Sequence, residues 1–430
     1  MAVGTEVVNP IRNDAKDYAS YAYNLVVHKT YSRITNANLK QETDAPPPDA
    51  LRRPGYPIFL SLILDPAGSI ESFIERTKIV QALLSVASLL FIFQIAKTLL
   101  GYPYAVGVLS ITAVSPHLIN MNAYLLSETL FTFVQLILFW GIVRWRESLP
   151  WHSLILAGIL LATAALIRPW VQYFVLFLVA WMLFSNEIKF RKKHVILVTL
   201  GFVSLFSIWT MRNISTLGVA SDNTLMINGL HHGMYPNFMY EGDPESHGFP
   251  YLYDPRSQEI NDSVSSVLAE IHRRFQTDFW RSFRWYAVDK TPTILGWSNI
   301  QGVDEIFVYP VTRTPYYQYG LFYWTRTVMK AIHAPLMLLA IAGCLLVWAP
   351  GKWLGIDPRH LFCLRLLSLY CAYFFAVHIA TAPFPRYAIP LKPVFYLMAA
   401  SALKTTFDIF VIHRNRRVND PVIQNHSPAP

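Results

Sequence analysis

Four charged residues stand where charge is costly. Asp14 opens a short helical pattern, Glu128 lies a few residues inside an apolar run, Arg168 closes another and Arg386 begins a third. Charge beside hydrocarbon is expensive and is kept mostly where it has a task. A carboxylate pair next to guanidinium groups suits group transfer from a phosphate-linked donor. One carboxylate takes the proton of an acceptor hydroxyl, and arginine holds the departing phosphate through paired hydrogen bonds. Each residue also has a plainer account. Asp14 could cap a helix, Glu128 could be a structural ion-pair partner, and Arg168 and Arg386 could anchor at headgroups. Asp17, Asp65, Glu71 and Glu75 read as ordinary interfacial charges.

The elements that must position these residues are membrane helices. The chain has 430 residues, 53% of them hydrophobic and only 15% charged, against about 25% charged in soluble domains. Its net charge of +9 sits largely in short loops beside apolar runs, which makes it a topology signal and argues against a nucleic-acid partner. Cys344, Cys363 and Cys371 lie within apolar runs, with neither a disulfide pattern nor zinc spacing. Residues 1–10 lack the apolar core of a cleavable signal peptide.

Nine segments approach the ~20 apolar residues that a spanning helix needs: Ile79–Leu100, Pro103–Asn120, Ala123–Val143, Ser153–Ile167, Val171–Phe184, Val195–Met211, Ala331–Trp348, Leu361–Thr381 and Ala388–Ile412. Pro57–Leu64 is too short to span and suits a re-entrant or interfacial piece. Basic residues follow every second span: Arg144 and Arg146, then Lys189 to Lys193, then Lys352 and Arg359, then Arg414 to Arg417. Those connections are expected to be cytoplasmic. The resulting domains are an outer amino-terminal loop over 1–78, six spans over 79–211, an outer loop subdomain over 212–330, three further spans over 331–412 and a cytoplasmic tail over 413–430. This topology sets the amino terminus outside with no span to carry it there, so a first span upstream of Met1 is expected.

Within the outer segments, Asp14–His28 reads as a helix with Tyr18, Ala22 and Leu25 on one face and Asn13 as its cap. Gln41–Arg53 is a loop, and the tail after Val418 is frayed. Asn261–Lys290 forms one amphipathic pattern, with Val264, Leu268, Ile271, Phe275, Phe279, Phe283 and Tyr286 on one face. His231, His232 and His247 match no structural zinc spacing and read as loop residues.

Several stretches together resemble the GT-C glycosyltransferases, in particular the protein O-mannosyltransferase-like family and the lipid A aminoarabinose transferase. Asp14-Ala-Lys-Asp-Tyr18-Ala-Ser-Tyr-Ala22 is similar to their first outer loop, and Arg53-Pro-Gly-Tyr-Pro57 to a basic, proline-rich segment. Ser127-Glu128-Thr-Leu130 resembles their second acidic motif, while Leu166-Ile-Arg168-Pro169 and Arg386-Tyr-Ala-Ile-Pro390 resemble later arginine motifs. Arg52 stands where the aminoarabinose transferase has Glu. The resemblance implies an all-α integral membrane protein, and an inverting transferase that takes a sugar from a polyprenyl-phosphate donor at the periplasmic face of a bacterial inner membrane. The acceptor would be a lipid, a glycan or a protein. By carry-over, Asp14 would be the general base and Glu128 would shape or charge the site. Arg53 would contact the donor phosphate with Arg386 as a second candidate, and Tyr18 and Arg168 would complete the substrate contacts. No metal ligands are assigned, and a divalent cation is left open. The competing expectations are a lipid or solute transporter, with charges near the midplane and paired broken helices, and a non-catalytic assembly protein of the same fold.

Overall fold

The computed structural model describes residues 2–34, 46–146, 149–354 and 356–418; the first part of the expected 41–53 loop and the tail after Val418 lie outside the described residues. In chain order the helices are α1 (Asn13–Val27), α2 (Gly55–Ser61), α3 (Ile70–Leu100), α4 (Tyr102–Ala113), α5 (Pro116–Met121), α6 (Glu128–Val143), α7 (Trp151–Ile167), α8 (Phe174–Phe184), α9 (Lys192–Leu217) and α10 (Thr224–Gly233). They continue with α11 (Ser257–Ile260), α12 (Val264–Thr277), α13 (Phe279–Arg284), α14 (Lys290–Ile294), α15 (Pro315–Gln318), α16 (Gly320–Leu346), α17 (Gly351–Leu354), α18 (Pro358–Ala380), α19 (Pro385–Ala388) and α20 (Lys392–Val418). The two short strands, β1 (Glu6–Val7) and β2 (Val311–Arg313), pair antiparallel and tie the amino terminus to the long connection after α9.

Among the described residues, four helices are long and apolar enough to cross a membrane: α3, α9, α16 and α18. Shorter apolar helices fill in around them, at Glu128–Val143, Trp151–Ile167 and Pro169–Phe184. Their exposed faces are studded with leucine, isoleucine, valine and phenylalanine, among them Leu83, Leu90, Leu200, Ile208, Leu338 and Leu345. That pattern is the reverse of a soluble surface and matches contact with lipid tails. The chain is a multi-pass helical membrane protein.

Several expected spans change shape for identifiable reasons. The helix expected from Ile79 begins at Ile70, where Ser69 accepts a hydrogen bond from the Ser72 amide and caps it. It ends at Gly101, whose φ of +93° suits a residue without Cβ. The expected Pro103–Asn120 span is broken in two. Ser115 precedes Pro116 and is extended (ψ 111°), because the proline ring disfavours the helical region for the residue before it. The expected Ala123–Val143 helix begins only at Glu128. Glu128 therefore sits at a helix start, not inside one. The long connection starts later than Arg212, because α9 runs on to Leu217 and stops at Gly218.

Helix α7 packs on α9, α16 on α20, and α3 on both α4 and α6. The first two crossings are backbone to backbone. A Cβ on Gly158 would lie 2.1 Å from the Val198 carbonyl oxygen, and one on Gly201 2.1 Å from that of Ile155. Small residues of this kind let membrane helices approach closely enough for dispersion contacts to hold them.

The single amphipathic helix expected over 261–290 is divided. Asp278 leaves the helical region (ψ 84°) and caps α13 by accepting from the Arg281 amide. Phe279 and Phe283 are consequently exposed, while Val267 and Trp285 are buried. The loop subdomain is pinned to the bundle by Lys290. Its Nζ donates to the carbonyls of Ile379 (2.7 Å) and Thr381 (2.8 Å) at the end of α18, and lies 3.7 Å from the centre of the Tyr286 ring.

Candidate functional site

The site is assembled at one end of the bundle from the starts of two helices and three arginine-bearing turns. Asp14 lies in the first turn of α1 and Glu128 in the first turn of α6. Both positions favour a carboxylate, because the unpaired N–H groups of a helix start carry partial positive charge. Helix α1 begins at Asn13 itself, with Arg12 in the capping place and no side-chain cap. Asn13 is therefore not the cap, and Asp14 does not serve as one either. The first face is as expected: Tyr18 and Ala22 are buried and Leu25 is half-buried. The start of α1 is held by Tyr309, whose hydroxyl donates to the Arg12 carbonyl at 3.2 Å.

The turn before α6 is held by Gln81, whose amide donates to the carbonyls of Asn122 (3.2 Å) and Tyr124 (2.8 Å). Gln81 in turn accepts from the Tyr56 hydroxyl at 2.9 Å. Arg168 ends α7 in extended backbone (φ −132°, ψ 113°) because Pro169 follows it. Arg386 follows Pro385 at the start of α19, a favoured first helical residue.

These groups form one chain of alternating charge. Arg52 binds Asp17 through Nε (3.0 Å) and Nη2 (2.8 Å), and reaches Asp14 through Nη2 at 2.7 Å. Asp14 also meets Arg386 Nη1 at 3.1 Å. Arg386 Nε donates to Glu128 Oε1 at 2.6 Å, and Arg168 Nη2 reaches the same oxygen at 2.7 Å. The order is Asp17, Arg52, Asp14, Arg386, Glu128, Arg168. Glu128 is sealed, with 1% of its side chain exposed, whereas Asp14 keeps 33%. The chain thus opens outward at Asp14. Burial raises the carboxyl pKa of Asp14, but Arg52 and Arg386 outweigh it and hold the group well below the usual carboxylate range.

The structure therefore brings Asp14, Glu128, Arg168 and Arg386 together. Arg53 is not among them. Its Nη2 donates to Gln172 at 2.9 Å and its guanidinium lies 5.6 Å from the Phe206 ring, so Arg52 takes the position beside Asp14. Tyr18 is buried beneath Arg52 (5.4 Å) and edge-on to Tyr56 (4.9 Å), which makes it a support for that arginine. In the sequence Asp17 reads as an ordinary interfacial charge and Arg52 only as a departure from the aminoarabinose transferase pattern, whereas both belong to the ion chain. The available signal was that Asp17 lies one helical turn from Asp14 on the same face.

Among the described residues no group of three or more His, Cys, Asp or Glu could hold a metal ion. Guanidinium groups are interleaved between the three carboxylates, so this donor set as arranged does not fit a divalent cation. His231 bonds the Tyr235 hydroxyl (3.0 Å), while His232 packs against the rings of Tyr251 and Phe384.

Residues 56–211 match the family described as Dolichyl-phosphate-mannose-protein mannosyltransferase. The oligosaccharyltransferase AglB from Archaeoglobus fulgidus, solved with an inhibitory peptide and a dolichol-phosphate, aligns at 15% identity and a TM-score of 0.50, over 100% of this chain and 49% of that one. The same organism's enzyme tethered to an acceptor peptide aligns at 15% identity and a TM-score of 0.47, over 95% and 47%. ArnT from Cupriavidus metallidurans, bound to undecaprenyl phosphate, aligns at 10% identity and a TM-score of 0.37, over 94% and 75%. The chain spans about half the length of the archaeal enzyme. No protein of curated function matches it by sequence.

The fold is that of a helical membrane protein similar to AglB, and the family match adds a likeness in sequence over residues 56–211. That mannosyltransferase-like stretch runs from α2 to the last turns of α9.

Proposed function

We propose that the chain catalyses inverting transfer of a hexosyl or pentosyl group from a polyprenyl-phosphate donor to an acceptor hydroxyl, at the periplasmic face of a bacterial inner membrane. The observation that carries this reading is the alternating chain of carboxylates and arginines that opens at Asp14. A lipid-linked donor would slide between helices with its phosphate at the rim. The phosphate would take up N–H donors of Arg52 and Arg386, which now bind Asp14. That exchange raises the proton affinity of Asp14, because its two neutralising partners turn to another anion.

The acceptor oxygen then attacks the anomeric carbon as its proton passes to the Asp14 carboxylate. The bond from that carbon to the phosphate oxygen breaks, and the electron pair leaves on polyprenyl phosphate. Arginine N–H groups fixed at the departing phosphate stabilise the charge that builds there, an effect of about 3–4 kcal/mol per well-placed donor. Glu128, sealed beneath, holds Arg386 and Arg168 in place and supplies the charge that keeps them there. The whole chain of six groups is neutral, so it can stay ordered without a ligand and still exchange partners with one.

The test is Asp14→Asn in purified protein with a polyprenyl-phosphate sugar. Transfer is expected to vanish while membrane insertion is unaltered. Turnover like that of the unmodified chain would remove Asp14 from the mechanism.

A further inference from the structure

A second concave site lies in the loop subdomain, apart from the ion-pair chain. It is a cavity of about 480 Å³ between the segment after α10 and the helices α12 and α13, a volume in the range of small-molecule sites. Its polar wall is organised around Glu270, which is buried and accepts from Arg256 (3.0 Å), from Arg273 through Nε (2.8 Å) and Nη2 (2.7 Å), and from Arg274 (2.9 Å). Arg256 and Arg273 keep 45% and 52% of their side chains exposed, so each is fixed at one edge and open at the other. Asp254 accepts from the Tyr235 hydroxyl at 2.7 Å and adds a second buried carboxylate to the wall. The apolar wall includes Trp285, Tyr240, Tyr286 and Phe275.

Four arginines line this cavity against four acids, Glu241, Asp254, Glu270 and Asp278. A site built for an anion would carry an excess of positive charge. This one is balanced, dense in fixed planar donors and acceptors, and set beside aromatic side chains. We propose that it binds a neutral carbohydrate chain, whose hydroxyls both donate and accept and whose ring faces are apolar. Planar arginine and carboxylate groups match paired hydroxyls, and aromatic faces match the C–H face of a sugar ring.

Buried, packed rings lie between the cavity and the first site. Trp285 packs on Phe238 (5.9 Å), Phe238 on Phe384 (4.5 Å), and Phe384 on Tyr387 (5.5 Å), the residue next to Arg386. On the transfer reading given above, which this step rests on, the bound chain is the acceptor.

The experiment uses the full chain in lipid nanodiscs with mannotriose and maltotriose as probes, read by saturation-transfer NMR. Saturable transfer to ring protons of at least one probe is expected. It should fall about tenfold in Tyr240→Ala, which removes a ring from the wall, and in Thr277→Trp, which fills the cavity from an exposed position. Asp14→Asn should leave it unchanged. Polyprenyl-phosphate release to water should persist in both cavity variants, while transfer to the sugar chain falls through a raised acceptor KM. Absence of saturable signal from both probes, or a signal that survives both cavity variants with their thermal transitions intact, overturns the proposal. Binding that follows the cavity variants, together with full turnover in Asp14→Asn, would keep the saccharide site and discard the transfer mechanism.

Discussion

Arg386 is shared by two carboxylates that are 114 positions apart in the chain: its Nη1 lies 3.1 Å from Asp14 and its Nε 2.6 Å from Glu128. Among the described residues no other arginine forms an ion pair with both acids. It is the joint between the sealed inner half of the ion chain and the half that opens outward.

Replacing Arg386 by Met should therefore be costly twice. Glu128 would keep Arg168, but Asp14 would keep only Arg52. Removing one partner of a buried pair typically destabilises by about 3–5 kcal/mol, which a thermal unfolding series in detergent would register. Donor cleavage should fall about 10²–10³-fold if the guanidinium also meets the phosphate. A double substitution with Asp14→Asn should cost less than the two single changes added together, because the two residues share one contact.

Arg52→Glu tests the position at which this chain departs from the aminoarabinose transferase pattern. It would set a third acid beside Asp14 and Asp17, both of which Arg52 now neutralises. A lowered thermal transition and a raised donor KM are expected. Arg52→Lys should fall between, since it keeps the charge but loses the planar fork that spans both acids.

Gly201→Ala should separate α7 from α9, because the new Cβ would sit 2.1 Å from the Ile155 carbonyl oxygen and backbone cannot step aside cheaply. Overpacking of this kind costs about 1–3 kcal/mol. The loss should appear in thermal stability. Gly107→Ala, whose Cβ meets nothing within 4 Å, is the matched control.

The loop subdomain should lose stability in acid. Burial raises the Glu270 carboxyl pKa, but hydrogen bonds from Arg273 and Arg274 outweigh it and bring the group down to about 2. Its folded pKa lies below its unfolded one, so the contribution is complete above the usual glutamate range and is lost as pH falls toward about 2. Hydrogen exchange of α12, taken relative to the intrinsic rate at each pH, should be flat at neutral pH and rise below pH ~4.5. In Glu270→Gln that acid-dependent rise should be much reduced.

Much of the architecture was legible because hydrophobic length acts along the chain. The apolar runs that became α3, α9, α16 and α18 announced themselves by composition, and Asp14, Glu128, Arg168 and Arg386, expected near one another, do meet at one end of the bundle. What was not legible depended on backbone detail or on distant partners. The break before Pro116 was written in the sequence, yet it was obscured by apolar residues on both sides. The choice of Arg52 over Arg53 beside Asp14 turns on which way one bend directs two identical side chains, and no periodicity records that. The cap at Asp278 that splits the amphipathic stretch competes with a hydrophobic pattern running straight through it. The Glu270 cluster joins Arg256 to α12 across a turn that the pattern of the helix alone does not predict.

Lys290 carries an implication for how the protein is made. Its ammonium group is fully buried, and the carbonyls that receive it, at Ile379 and Thr381, are synthesised about ninety residues later. During biogenesis the segment around Lys290 must wait, hydrated and unseated, until α18 has entered the bilayer. Closure of the subdomain onto the bundle is therefore a late assembly step, and a ribosome-stalled chain ending before Ile379 should remain open to protease there.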